Sequence, residues 1–319
     1  MRKLLTFSVL LLAFCIGYEP PALSTPSAAP SADETAALAK PAASSAQPAS
    51  QIAGAAQTAA RVAMSAGDVP LPPLDDLTAQ IDEYMTVIAR DLARLDGSIR
   101  YVEDAVNIVR DVNGLALVAL AVGLANDDSK YKRAAPHIIA AARRLAAAQN
   151  FNDGNAALTA LQAALTNTSD AAPLSWSDKV SELGPAMQAL PNLSSAVNRL
   201  AGAESRFNTV MAAANPRMEQ ARQQVIAHLA GLAAISQGSI PNVVQSDRPD
   251  AVEEWKKYCE EFRDYAIKVN AIAHQFIQER AAGGGTTNFA TFNTAFRAMA
   301  ESCDDCHRAF YPSAVGQTE

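Results

Sequence analysis

Apolar side chains recur at intervals of three and four residues over most of the chain from Leu74 onward. This spacing puts them on one face of an α-helix, because a helix turns once in about 3.6 residues. The first stripe consists of Leu77, Ile81, Met85, Ile88, Leu92 and Leu95. Later stripes predict helices over 98–126, 130–149 and 155–166, before Ala171-Ala172-Pro173 interrupts the pattern.

A second set of stripes follows this break and predicts four more helices. They cover 183–200, 216–237, a segment that begins after Pro249-Asp250, and a last segment with apolar residues from Phe289 to Phe310. Pro191 is expected to kink the first of them, since proline lacks the N–H that a helix needs. No part of the pattern requires a strand. The predicted fold is all-α, with an antiparallel four-helix bundle over 174–312 and another helical bundle before it, over 74–170. One larger helical domain is the alternative.

Composition agrees with closely packed helices. Apolar residues make up 49% of the 319 residues but aromatic residues only 6%, and alanine is abundant. Sheets favour β-branched and aromatic residues instead. The net charge of −7 argues against nucleic acid or an anionic membrane surface as the main partner.

The N-terminal residues have the pattern of an export signal. Arg2 and Lys3 precede an apolar core of signal-peptide length, from Leu4 to Ile16, so residues 1–24 are predicted to be a signal peptide. The chain is therefore expected in the periplasm or otherwise outside the cytoplasm. A lipid anchor at Cys15 is the alternative, although the bulky Phe14 does not suit a lipoprotein signal.

Two segments are predicted to lie outside the folded part. Residues 25–73 are rich in Ala, Pro and Ser and are expected to form a disordered linker, and 313–319 form a tail.

The apolar segment from Gly114 to Ala125 is too short for a comfortable membrane span, so it is predicted to be a buried core helix. No membrane span is expected after removal of the signal.

Five residues near the end carry the most specific chemistry: Cys303-Asp304-Asp305-Cys306-His307. The pattern Cys-x-x-Cys-His attaches a c-type haem, whose two vinyl groups form thioethers with the cysteines. The histidine is then the proximal iron ligand. On a helix, positions i, i+3 and i+4 share one face, so all three groups reach one macrocycle. A disulfide or a zinc site is the alternative, but zinc needs further ligands at suitable spacing. The remaining thiol, Cys259, is expected to be a small buried apolar residue.

The segment from Phe296 to Phe310 resembles the last helix of the cytochrome c prime and cytochrome c-556 class. In that class the haem motif lies on the final helix of a four-helix bundle, and an aromatic residue follows the histidine by three, as Phe310 does. The resemblance extends over 176–311 and implies one covalent haem c. It also implies that the first helix supplies the residue opposite His307. The class usually has a basic residue after the aromatic one, whereas this chain has Tyr311.

Met187 lies at the matching place on the first helix of the second set, so it is the candidate distal iron ligand. The alternative is that Met187 only fills the core, as methionines on apolar stripes usually do. His228 is the competing ligand, and its own alternative is a hydrogen-bonded residue at the edge of an apolar face.

No catalytic motif accompanies the haem motif, so the chain is predicted not to be an enzyme. The predicted function is single-electron transfer to a redox partner protein, by a mono-haem cytochrome that is a monomer or a homodimer. Two alternatives stay open. One is a five-coordinate haem protein that binds NO or CO. The other is a tethered protein whose haem-less first bundle docks a partner.

Overall fold

The computed structural model describes residues 65–66 and 69–311, and these residues are mostly helical. The all-α prediction is confirmed. The only strands among them are Ser65–Ala66 and Val69–Pro70, which have two residues each and are antiparallel. The predicted signal peptide, Cys15, the C-terminal tail and nearly all of the linker lie outside the described residues.

Five helices make up the N-terminal part, and we number them in chain order: α1 Leu74–Ala93, α2 Tyr101–Asp104, α3 Val106–Leu124, α4 Ala135–Ala146 and α5 Phe151–Ala164. The prediction of one continuous helix over 98–126 is wrong, because two helices cover this range. A break at Ala105 separates the short α2 from α3, because Ala105 has a ψ of 5° rather than a helical value. Helix α5 begins earlier than predicted because the Asn150 side chain accepts a hydrogen bond from the Asp153 N–H, which is 2.9 Å away.

The C-terminal part contains α6 Leu183–Ala201, α7 Glu204–Ala212, α8 Pro216–Gly238, α9 Val252–Ala281 and α10 Phe289–Phe310. A 3-10 helix, Ile240–Gln245, lies between α8 and α9. Asparagine caps begin two of the long helices. Asn215 accepts from the Met218 N–H, and Asn288 accepts from the Thr291 N–H. The short α7 was not predicted. Its buried Phe207 contacts aromatic rings of α9 and α10.

One hydrophobic core extends through both parts. Helix α8 packs against α1 and α3 of the N-terminal part and against α6 and α9 of the C-terminal part. Its side chains from Val225 to Gly238 are all buried. Among the described residues, only α3 is long and apolar enough to cross a membrane, and 72% of that window is buried inside the protein. A core helix meets the same length and composition criteria as a membrane span. The burial of α3 inside the protein is typical of such a core helix.

Candidate haem-attachment site

Cys303, Cys306 and His307 lie near the C-terminal end of α10, which is helical through the whole motif. All three side chains are partly buried, whereas Asp304 and Asp305 between them are exposed. The thiols and the imidazole therefore share the protein-facing side of α10, and the two carboxylates point to solvent.

The orientation of α10 follows from its buried stripe. Phe292, Phe296 and Met299 lie in the main core, and Phe310 is fully buried at the far end of the helix. Because these residues recur at threes and fours, they fix which face of the helix is turned inward. Cys303 and Cys306 continue the same spacing of three and four residues, so they lie on the protein-facing side of α10.

A small apolar cluster surrounds the end of α10, and we call it the Trp255 cluster. Its buried members are Leu183, Val243, Trp255, Cys259 and Phe310. The Trp255 and Phe310 rings meet edge to face at a centroid distance of 5.0 Å. The indole Nε1 of Trp255 donates a hydrogen bond to the Ser239 carbonyl at 3.1 Å. The cluster is therefore dry, and its polar indole group is satisfied.

Met187 packs against the Trp255 cluster from helix α6, and Cys306 packs against the same cluster from α10. Met187 also contacts the main core, as Cys303 does. Met187 and Cys306 lie more than a hundred positions apart in the sequence, and both pack against the same cluster. Pro191, one turn further along α6, has no N–H to donate to the Met187 carbonyl. The role of Met187 as an iron ligand stays a prediction.

His228 lies elsewhere, at the contact between α8 and α1. Its Nδ1 is 2.9 Å from Gln80 Oε1. Ser236, further along α8, reaches the Trp255 cluster, since its hydroxyl donates to the Cys259 carbonyl at 2.8 Å. Eight helical residues separate Ser236 from His228, which is about 12 Å along the axis. His228 therefore has the hydrogen-bonded position that was the alternative to iron ligation.

Burial sets the protonation of the groups on α10. It holds the pKa of His307 below its usual value, while Asp304 acts in the opposite direction, so the imidazole is neutral at pH 7 with a free lone pair. Burial, and secondly the Glu254 carboxylate, raise the pKa of Cys306 to about 12. The pKa of Tyr311 rises to about 12 for the same main reason, and its ring meets His307 edge to face.

No pattern in the sequence pointed to Arg248, which lies in the loop before α9. Its Nη1 donates to the Ala309 carbonyl at 3.3 Å, and its guanidinium lies 5.0 Å from the Phe310 ring centroid. Arg248 also pairs with Glu254 at 2.7 Å. The cytochrome c prime and cytochrome c-556 class usually has a basic residue directly after this aromatic position, where this chain has Tyr311. Here the Arg248 guanidinium, from the loop before α9, contacts the Phe310 ring instead. Only the fold brings these positions together, because they lie about sixty residues apart along the chain.

The donor set fits a c-type haem. No disulfide joins any two of Cys259, Cys303 and Cys306. Over residues 65–66 and 69–311, no group of three or more His, Cys, Asp and Glu side chains is placed to hold a metal ion. The disulfide and zinc alternatives therefore have no support in this part of the chain. Comparisons with known protein families, with curated proteins and with solved structures find no match to this chain.

Proposed function

We propose that this protein is an exported mono-haem c-type cytochrome that transfers single electrons. One observation carries the proposal: Cys303, Cys306 and His307 share the protein-facing side of α10, beside the cluster against which Met187 packs. The resemblance of 176–311 to the cytochrome c prime and cytochrome c-556 class supports the same conclusion. We also infer that α6, α8, α9 and α10 form the haem-carrying four-helix bundle, since they pack on one another in that order.

Each residue of the site has a separate role in this proposal. Cys303 and Cys306 hold the haem through two thioethers, and His307 is the proximal ligand through its neutral imidazole. The Met187 thioether is the distal ligand. A bound haem supplies one iron that takes up and releases single electrons.

The surrounding residues set the conditions for that exchange. Trp255 and Phe310 are both 0% exposed, so water is excluded from the cluster beside the motif. A dry apolar environment favours the less charged ferrous state and raises the reduction potential. A thioether opposite the histidine acts in the same direction. The motif residues are partly buried rather than fully enclosed, so a haem held there would lie near the surface, where a redox partner protein would dock.

The first test is whether haem becomes covalently attached to the predicted cysteines. The full-length protein is expressed with haem-attachment machinery, denatured, and stained for haem after electrophoresis. We expect the stain to be lost when both Cys303 and Cys306 are replaced by alanine. The matched control is Cys259→Ala, a free thiol on the neighbouring helix, which should keep its haem. An unstained parent protein would overturn the proposal.

The second test separates electron transfer from gas binding. We expect low-spin absorption spectra with a thioether-to-iron band near the red end, unchanged by CO. Replacing Met187 with alanine should remove that band and allow CO to bind. The control is Met85→Ala, a partly buried methionine on α1. A parent spectrum that is high-spin and shifts with CO would replace electron transfer by the gas-binding alternative.

A further inference from the structure

Two exposed apolar side chains lie at the surface beside the Trp255 cluster. Val244, in the 3-10 helix, is 63% exposed, and Val252, the first residue of α9, is 44% exposed. Their neighbours along the chain contact the cluster: Val243 is one of its buried members, and Ala251 packs against it. Val244 and Val252 therefore extend the apolar cluster next to the haem motif out to solvent.

Carboxylates outnumber cations around this part of the surface. The segments 247–264 and 301–311 comprise the loop before α9, the first turns of α9 and the last turns of α10. They hold ten Asp and Glu residues and five Lys and Arg residues, which gives a net charge of −5. The whole chain carries −7, so the acidic charge is concentrated in these two segments and the rest of the chain is close to neutral.

Ion pairs do not remove this excess of negative charge. Four of the five cations pair with carboxylates of the same two segments. The fifth cation, Lys257, forms no ion pair with a described residue, and neither do the other six carboxylates. All six are exposed, and we call them the acidic rim: Asp247, Asp250, Glu253, Glu261, Glu301 and Asp304.

The acidic rim lies beside the haem motif on each element that meets there. Asp304 stands between the two cysteines of the motif on α10. Burial raises the pKa of Tyr311 to about 12, and Asp247, from the loop before α9, raises it further. Burial also raises the pKa of Tyr258, and nearby carboxylates, Glu261 of α9 among them, act in the same direction. Both tyrosines pack against the Trp255 cluster, so these charges surround the apolar surface described above.

We propose that this surface docks a redox partner protein that has a basic face. The inference rests on the proposed function, since such a partner has a role only if the end of α10 carries haem. Lys and Arg side chains of the partner pair with the acidic rim, and an apolar centre on the partner covers Val244 and Val252. One electron then passes from the reduced protein of the pair to the oxidised one, and the two separate.

The size and charge of the surface suit a transient contact. Two apolar side chains within a charged rim make a small interface, as in electron-transfer complexes. Opposite charges on the two proteins speed their encounter and fix their orientation. Because salt screens exposed charges, the complex should form at low ionic strength and weaken as salt is added.

The test is calorimetric titration of the haem-loaded full-length protein with mitochondrial cytochrome c, a lysine-rich redox protein. The matched probe is the same cytochrome after succinylation of its lysines, which reverses their charge. At low salt we expect the unmodified cytochrome to bind with a Kd of about 100 μM or lower, and at about 0.3 M salt at least about tenfold more weakly. If it does not bind below about 1 mM, or if the succinylated form binds as well, the proposal fails.

Charge variants locate the binding on the protein. The rim variant carries Asp247→Asn, Glu253→Gln and Glu261→Gln. The control variant has the same net charge and carries Asp96→Asn, Asp170→Asn and Glu204→Gln, three exposed carboxylates outside the rim that form no ion pair with a described residue. The Kd should rise at least about fivefold in the rim variant and less than about twofold in the control. Equal weakening in the two would reduce the effect to the net charge of the protein and overturn the proposal.

A further pair of variants tests the apolar centre. Val244→Asn should raise the Kd about threefold, because the partner then covers a polar side chain. Val102→Asn is the control, since Val102 is 55% exposed on α2, and it should leave the Kd unchanged. An unchanged Kd in the Val244 variant would overturn the placement of the contact beside the Trp255 cluster.

Haem staining of the same preparations separates this inference from the proposed function. A stained protein that fails the titrations overturns the docking surface alone. An unstained parent protein overturns the proposed function and, with it, the docking surface that rests on it.

Discussion

The end of α10 and a cleft between the N-terminal and C-terminal parts are built in opposite ways. At the end of α10, the three donor groups of the motif come from five consecutive residues and lie beside an apolar cluster. The cleft has a buried polar floor of Gln80, Tyr84, Asp111 and His228, which come from three helices. Two of their polar groups, the Tyr84 hydroxyl and Gln80 Nε2, have no partner in the described structure. Burial of apolar side chains at the end of α10 stabilises the folded protein. Burial of unpartnered donors in the cleft destabilises it.

This difference predicts effects of opposite sign when side chains are trimmed. Removing atoms from the Trp255 cluster should always destabilise the protein, because each buried group there has close contacts. Removing the Tyr84 hydroxyl from the floor of the cleft should cost nothing or stabilise the protein, because that group has no partner to lose.

The largest effect is expected for Trp255→Ala. Trp255 is fully buried, contacts Phe310 and donates to the Ser239 carbonyl, so the substitution leaves a large cavity and removes one of the two hydrogen bonds to that carbonyl, which also accepts from the Asn242 N–H. The free energy of unfolding should fall by about 4 kcal/mol, measured by urea denaturation. The other tryptophan, Trp176, is only partly buried, and Trp176→Ala should cost less than half as much. Similar losses in the two variants would show that the cluster is not tightly packed.

The next effect concerns pH and the cleft residue His228. Its pKa in the folded protein is lowered from 6.5 to about 4, first by burial and then by Arg199. As the pH falls from 6.5 toward 4, the unfolded chain takes up a proton that the folded protein does not, so stability falls. The loss should reach about 3 kcal/mol by pH 4. Well above pH 6.5 this contribution is constant, because His228 is then neutral in both states.

Urea denaturation at pH 7, 5.5 and 4.5 measures this loss. Replacing His228 with glutamine keeps a hydrogen-bonding side chain beside Gln80 and should make the decline between pH 7 and 4.5 much shallower. The control is His137→Gln, a histidine that instead contacts Ser169. An unchanged decline in the His228 variant would mean that another group causes it.

Local patterns predicted the end of α10 well. The apolar stripe from Phe289 to Phe310 indicated a last helix with those limits, and the structure has the same ones. The shared cluster of Met187 and Cys306 was anticipated only through the family resemblance. Arg248 and the short helix α7 had no signal in the sequence. Arg248 reaches Phe310 across about sixty residues, and α7 has only a few buried side chains to make a stripe.

The cleft could not be predicted from the sequence for the same physical reason. Gln80 and His228 are 148 positions apart, and no local spacing relates them. Their contact depends on α8 packing against α1, which joins helices of the two predicted bundles. A helix period identifies which residues face inward, but it does not identify which helix they will meet.

The smallest effect is expected for Tyr84→Phe, and its sign is the informative part. The Tyr84 hydroxyl is buried without a partner, and burial raises the pKa of the phenol far above its ordinary value. Removing it should leave the unfolding free energy unchanged or raise it by up to about 1 kcal/mol. Tyr131→Phe is the matched opposite, since the Tyr131 hydroxyl donates to the Asp82 carboxylate, and that variant should lose about 1 kcal/mol. If Tyr84→Phe loses as much as Tyr131→Phe, then the hydroxyl has an acceptor in solution. Repeating the measurement after extensive dialysis would show whether that acceptor is an exchangeable small molecule.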